Sequence, residues 1–219
     1  MITYESIRGD EAVRTYIRMA DAYLASLGYT DHSFAHVTAV AERAGALLAA
    51  LGHPPREVEL AKIAGLLHDI GNIVNRVGHS QSGALLAFRL LDERGMPPEE
   101  IAAITTAIGN HDEGEGTPAG PLAAALILAD KSDVRSSRVR NRDPATFDIH
   151  DRVNFSVHES ALTVRPEEGE IHLSLTIDTA ISPVIDYFEI FLDRMMLCRR
   201  AAEALGLRFR LLINGQVML

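Results

Sequence analysis

The chain has 219 residues, 47% of them hydrophobic and 23% charged, with a formal net charge of −9. That length holds one large domain, or an ordinary domain with a small appendage, and the apolar share can bury a sizeable core. The acidic balance argues against broad binding to nucleic acid or to anionic membranes, yet it accommodates a small phosphorylated substrate, because a cation and nearby arginines reverse the field inside a cleft. Cys198 is the only cysteine, so no intramolecular disulfide forms. No signal-like start and no apolar run of about 18 residues occurs, and a cytoplasmic setting is the expectation.

The first two-thirds of the chain read as helices between short punctuators. Residues 10–27 place Val13, Ile17, Ala20 and Leu24 at helical spacing, with Gly28 as the stop. Ser33 suits the N-cap of a helix over 34–51, closed by Gly52 and the Pro54–Pro55 pair. Pro55 then opens a helix reaching Asp69, and Gly71 is expected to end it in a left-handed conformation. A helix over 80–94 stops at Gly95. The next starts at Pro97 or Pro98 and runs through Ile101, Ile104 and Ile108. Residues 112–120 read as a loop, and Pro121 begins a helix to about Arg135. From residue 143 the character changes. Residues 153–164 and 171–181 are β-prone around a turn at 166–169, and Pro183 starts an amphipathic helix to about Leu205. Residues 207–213 pair with 216–219 across Asn214–Gly215. The expected architecture is mainly α: a helical bundle over 1–142, followed by a small α+β (β-β-α-β) appendage over 143–219.

The chemistry is carried by where the histidines fall. Of nine, His36 sits in the first turn of a helix, His68 with Asp69 at the end of one, His79 at the start of one and His111 at the end of one; Asp130 follows the apolar run 123–129. Imidazole with carboxylate suits Fe, Mn, Ni, Co or Zn, with Mg permitted, and one cysteine rules out a thiolate-rich site. A divalent cation polarises a phosphoryl oxygen and lowers the pKa of its water. An apolar stretch leads straight into His68–Asp69, and a lone buried carboxylate there would cost several kcal/mol without a partner.

His36 in HVTAVAERA, His68–Asp69 in AGLLHDIGN and Asp130 in LILADKSD resemble, in order, the H…HD…D signature of the HD-domain metal-dependent phosphohydrolases over roughly residues 15–142. The resemblance implies that these four bind a first metal, with Asp69 bridging to a second and Asp69 and His68 at the catalytic centre. GHSQSGALLA with His79 and IGNHDEG with His111 look like the extra histidines of two-metal subfamilies. One is the YqeK-like group, which cleaves symmetric dinucleoside tetraphosphates. Another is the HD-GYP cyclic-dinucleotide phosphodiesterases, from which Asn110–His111 and the lack of a clear GYP depart. The implied activity is hydrolysis of a phosphoric ester or anhydride, in a nucleotide such as a dinucleoside polyphosphate, by one or two metal ions. The competing readings are a cyclic-nucleotide or cyclic-dinucleotide phosphodiesterase and a non-catalytic regulatory module.

Charge alone marks Lys131, Arg135, Arg138, Arg140 and Arg142 as a basic cluster just past Asp130. Lys131, Arg135 and Arg138 are the candidate phosphate ligands, since a guanidinium grips phosphate with two N–H groups. The alternative is a solvated surface, with Arg138 paired to Asp143. His32 is expected outside the first coordination sphere, and Asp133 at the surface. Asp112, Glu113 and Glu115 read as an exposed acidic loop, and Phe188, Phe191, Leu192 and Met195 as core. The appendage carries nothing catalytic in sequence and leaves room for a homodimer.

Overall fold

A computed structural model of the chain describes residues 1–114 and 116–219. Seven helices come first: α1 (Tyr4–Arg8), α2 (Glu11–Ser26), α3 (Phe34–Ala50), α4 (Pro55–Leu67), α5 (His79–Asp92), α6 (Pro98–Gly109) and α7 (Pro121–Lys131). The punctuators act as their chemistry predicts. The Ser33 side chain accepts from the Ala35 N–H, and Pro55, Pro98 and Pro121 each sit in a first turn. Helix α7 ends at Lys131, short of the Arg135 expected from sequence.

Helix α4 runs through the middle of the bundle. Its Leu60, Ala61, Ile63, Ala64, Gly65, Leu66 and Leu67 are all buried, so it has no solvent face beyond its first turns. It lies almost against the backbone of α3. A Cβ on Gly65 would stand 2.6 Å from the Ala41 Cα, so only glycine permits this approach. Every residue of α7 from Leu122 to Lys131 is buried as well, packed on α3, α4 and α6 and, from the other side, on the long C-terminal helix.

Gly71 corrects an expectation. It lies in a 3-10 turn, Ile70–Ile73, and its φ is not positive. Its role is close approach: a Cβ there would meet the His79 carbonyl oxygen at 2.0 Å and the Gly83 nitrogen at 2.4 Å. The turn after α4 is therefore pressed directly onto the start of α5.

The last third is helix α8 (Ile149–Ser156), β1 (Val157–Arg165), β2 (Glu170–Ile177), helix α9 (Val184–Ala204), β3 (Arg208–Ile213) and β4 (Gln216–Val217). The sheet order is β1-β2-β3-β4. β1 and β2 are antiparallel, α9 is the crossover that makes β2 and β3 parallel, and β4 returns antiparallel across Asn214–Gly215. Ile171, Leu173, Leu175 and Ile177 alternate inward as their spacing requires. Residues 149–156 are helical where sequence suggested strand from 153. The Asp148 side chain caps the Asp151 N–H, and the helix buries Val153, Asn154 and Ser156. Of the stripe expected in the core, Phe191 and Met195 are buried, while Leu192 is exposed. The molecule is thus a mainly α-helical bundle followed by a small β-rich subdomain. Among the described residues, no helix is long and apolar enough to cross a membrane.

Candidate metal centre

Six side chains scattered over 95 residues converge where the ends of α3 to α7 meet. His36 stands in the first turn of α3, His68 and Asp69 at the end of α4, and His79 at the start of α5. His111 follows α6, and Asp130 is the penultimate residue of α7. All six are buried. The Nε2 of His36 lies 3.6 Å from Asp69 Oδ2 and 3.5 Å from Asp130 Oδ1. The Nε2 of His68 lies 3.2 Å and 3.6 Å from the same two oxygens, and that of His79 lies 3.6 Å from Asp69 Oδ1. Two overlapping triads have donor atoms mutually within 4.8 Å: His36, His68 and Asp130; and His68, Asp69 and His111.

The imidazoles are held in one orientation and one tautomer. His36 Nδ1 donates to Asp133 Oδ2 at 2.7 Å, and His68 Nδ1 to the Gly65 carbonyl at 2.8 Å. His79 Nδ1 donates to the Arg76 carbonyl at 3.0 Å, and His111 Nδ1 to the Ile108 carbonyl at 2.6 Å. Each ring thereby turns its Nε2 edge inward, the edge a metal ligand presents. The Nε2 atoms of His36 and His68 are buried without a hydrogen-bond partner among the described residues. His79 Nε2 and His111 Nε2 face each other at 3.2 Å. With both hydrogens on Nδ1 that is acceptor against acceptor; the Arg76 guanidinium lies 3.3 Å from His79 Nε2, while His111 Nε2 has no such donor among the described residues. The donor set therefore fits one or two divalent cations.

The electrostatics point the same way. Burial pushes Asp130 up, but the Lys131 ammonium and the His36 and His68 rings outweigh it and hold the carboxyl well below its usual range. Asp69 is likewise held down by His68 and His32 against burial. Burial pushes His68 down, yet Asp69 and Asp130 overcome this and raise it to about 10. Burial keeps His79 and His111 below the ordinary imidazole range, favouring the neutral ligand form.

A cavity of about 420 Å³ opens over the centre. Asp69, His79, His111, Asp130, Lys131 and Arg138 are in its wall. Several residues behave differently from their sequence reading. Asp133 is fully buried, not at the surface. Besides His36 it holds Arg43 and Arg135, each at 2.9 Å. Arg135, turned to Asp133 and Ser137, is outside the cavity wall. Arg138 is buried and donates to the Asp31 and Asp133 carbonyls, with no bond to Asp143. Lys131 is enclosed by carboxylates, 2.8 Å from Asp130 and 3.2 Å from Glu113. Glu113 is thus no free acidic loop residue; Glu115 lies outside the described residues. Arg140 pairs with Asp21. His32 reaches the cavity wall, its ring 5.5 Å from that of His36.

Sequence reasoning missed Asp133, Arg76, Arg194 and, on α8, His150, Asp151 and Asn154, of which all but Asp133 line the cavity. Asp133 follows Asp130 by three residues in ADKSD, a signal that points to one shared side of a helix. Arg194 has no local signal at all.

The stretch that carries the site matches a known family. Residues 33–136 match the HD domain family model, a span that contains all six convergent residues. A predicted HD superfamily hydrolase from an uncultured Thermotogales bacterium, known from its crystal structure, is 25% identical. It covers 57% of this chain and 68% of its own length, with a TM-score of 0.45. No curated protein matches the chain. The ordered His, His-Asp and Asp set is brought to one buried point inside the matched span, so residues 33–136 carry an HD domain of the metal-dependent phosphohydrolase type.

Proposed function

We propose that the protein hydrolyses a phosphoric ester or anhydride bond in a nucleotide, such as a dinucleoside polyphosphate, using two divalent ions. The observation that supports this best is the common orientation of four imidazoles, each with Nδ1 tied to an acceptor and Nε2 turned to the cluster. His36, His68 and Asp130 would hold one ion. His79 and His111 would hold the other, with Asp69 between them, 3.2 Å from His68 and 3.6 Å from His79. A divalent cation there supplies Lewis acidity toward a phosphoryl oxygen and an acidified water at neutral pH.

The protein's own groups do the rest. Asp69 and Asp130 present oxygens that are ionised at neutral pH, since both are held well below the carboxylate range by neighbours that outweigh burial. Lys131, 2.8 Å from Asp130, balances charge beside the site without leaving its nest of carboxylates. Arg138 lies in the cavity wall with its Nε and one terminal nitrogen anchored on backbone carbonyls, which fixes the remaining nitrogen. The buried floor of the site limits water to the cavity side.

The test is metal analysis with turnover of bis-p-nitrophenyl phosphate, followed by a screen of dinucleoside polyphosphates, cyclic dinucleotides and mononucleotides with Mn, Fe, Ni and Mg supplied separately. Asp69→Ala is expected to lose both metal and activity. Persistence of turnover in a metal-free Asp69→Ala protein ends the proposal.

A further inference from the structure

The cavity has a second wall that owes nothing to the metal cluster. It is made by α8 and α9 of the β-rich subdomain. From α9 comes Arg194, and from α8 and its cap come Asp148, His150, Asp151 and Asn154. Arg194 is held at both ends. Its Nε donates to Glu113 Oε1 at 2.8 Å, and its guanidinium carbon lies 4.2 Å from the centre of the Phe191 ring. Glu113 in turn reaches Lys131, which reaches Asp130, so a chain of alternating charges fixes the guanidinium relative to the metal cluster. Its two terminal nitrogens donate to no described residue. A preorganised guanidinium fork in a cavity wall matches a phosphate or carboxylate with two parallel N–H bonds.

The α8 groups have the opposite polarity. Asn154 is buried and spends one of its two amide hydrogens on the His150 carbonyl at 2.9 Å, which leaves Oδ1 as an acceptor and one N–H as a donor. Asp148 Oδ1 caps the Asp151 N–H, and Asp151 Oδ2 takes the Asn141 amide, so each carboxylate keeps one oxygen uncommitted among the described residues. The two carboxylates of this wall repel an all-acceptor anion such as an inorganic polyphosphate, and its polar groups give an apolar chain nothing to bond. The wall suits a ligand whose organic end carries hydroxyl or amino hydrogens.

We propose that this subdomain is the substrate-selecting wall of the active site: Arg194 grips the substrate's phosphate, and Asn154 with Asp151 and Asp148 reads the hydroxyl- or amino-bearing remainder. This rests on the phosphohydrolase reading above and goes beyond it by assigning selection to residues outside the HD domain. It also separates two kinds of side chain that a count of positive charge would merge. Lys131 and Arg135 are committed to carboxylates, whereas Arg194 keeps a free face.

The experiment uses the full-length, manganese-loaded protein and two chromogenic diesters. Thymidine 5′-p-nitrophenyl phosphate has a sugar hydroxyl and an imide N–H; bis-p-nitrophenyl phosphate has neither. Wild-type kcat/KM is expected to favour the thymidine ester by about tenfold or more, the size of a well-placed hydrogen-bond set. Asn154→Leu and Asp151→Asn are expected to move that ratio toward one. Arg194→Gln is expected to raise KM for both esters about tenfold or more with metal content unchanged, and Arg194→Lys to restore little of it because the fork is lost. Calorimetric titration with thymidine 5′-monophosphate and with inorganic phosphate reads the wall without turnover. The nucleotide should bind more tightly, Asn154→Leu should erase the margin, and Arg194→Gln should weaken both. If neither ester is cleaved, the hydrolase reading fails while the titrations still decide the wall. Equal binding of nucleotide and phosphate by the wild type, or unchanged binding in folded Asn154→Leu and Arg194→Gln proteins, overturns the inference.

Discussion

Replacing Gly71 by alanine tests whether the turn after α4 positions the second half of the metal cluster. The new Cβ would lie 2.0 Å from the His79 carbonyl oxygen and 2.4 Å from the Gly83 nitrogen, where ordinary contact begins at 3.4 Å. Both neighbours are backbone, so relief requires the start of α5 to retreat by about 1.4 Å from the turn. Overpacking of this kind costs about 1–3 kcal/mol. At about 2–4 °C per kcal/mol for a chain of this size, Tm should fall by roughly 2–12 °C. The larger effect is on the site. His79 is the first residue of α5, and its Nε2 stands only 3.6 Å from Asp69. A displacement of about 1 Å there is worth around a hundredfold in rate. Scanning calorimetry with metal analysis is the assay, and metal content should fall below that of the wild type. A Gly71→Ala protein with native Tm, wild-type metal content and full activity refutes the reasoning.

Asp133→Ala should cost about 1–3 kcal/mol by stranding the buried His36 N–H, with further loss from unpairing Arg43 and Arg135, and weaken metal binding about 10- to 100-fold, read by urea melts and metal titration; wild-type values for both would contradict it. Burial pushes Asp133 up, but His36 and the Arg138 and Arg135 guanidiniums outweigh it and hold it far below the carboxylate range. Its contribution to stability is therefore complete above about pH 4 and is lost as pH falls further, so Asp133→Asn should show a flatter loss of stability between about pH 4 and 2. His68, raised to about 10, carries a proton at neutral pH in the metal-free protein. Metal loading should then release protons and weaken as pH falls, which calorimetry in buffers of different ionisation enthalpy will reveal; loading without proton release would count against it. Burial lifts the Cys198 thiol to about 12, so iodoacetamide at pH 8 should label it only after denaturation, and rapid labelling of the native protein would be inconsistent with the packing of α9.

Much of this was legible in the chain because the punctuation is chemically unambiguous. Ser33, Pro55, Pro98, Pro121 and Asn214–Gly215 act through local backbone geometry that needs no tertiary context, and they begin or turn elements where expected. The metal cluster was legible because each of its members sits at a helix end, where chain direction changes and ends can meet. What was missed depends on distance in sequence. Asp133 looked like a surface residue among KSDVR, and its bond to His36 spans 97 residues. Arg194 reaches the cavity only because α9 packs on α7. Gly71 was assigned a left-handed φ from its place after a helix, when the constraint is the backbone of α5 opposite it. Helix α8 was obscured by Val153, whose β-branched preference yields to the Asp148 cap and burial.

Helix α7 lacks any free side, and that links two properties usually adjusted separately. A ligand carried on a surface helix can be re-aimed by a local tilt that solvent absorbs. Asp130 has no such latitude, because any swelling or shrinkage among Ala123, Ala124, Ala125 or Leu128 is passed along a rod clamped on every face. Substitutions chosen only to improve the interior of this protein should therefore be screened for metal affinity first, since the oxygen that Asp130 presents moves with the volume of the alanines behind it.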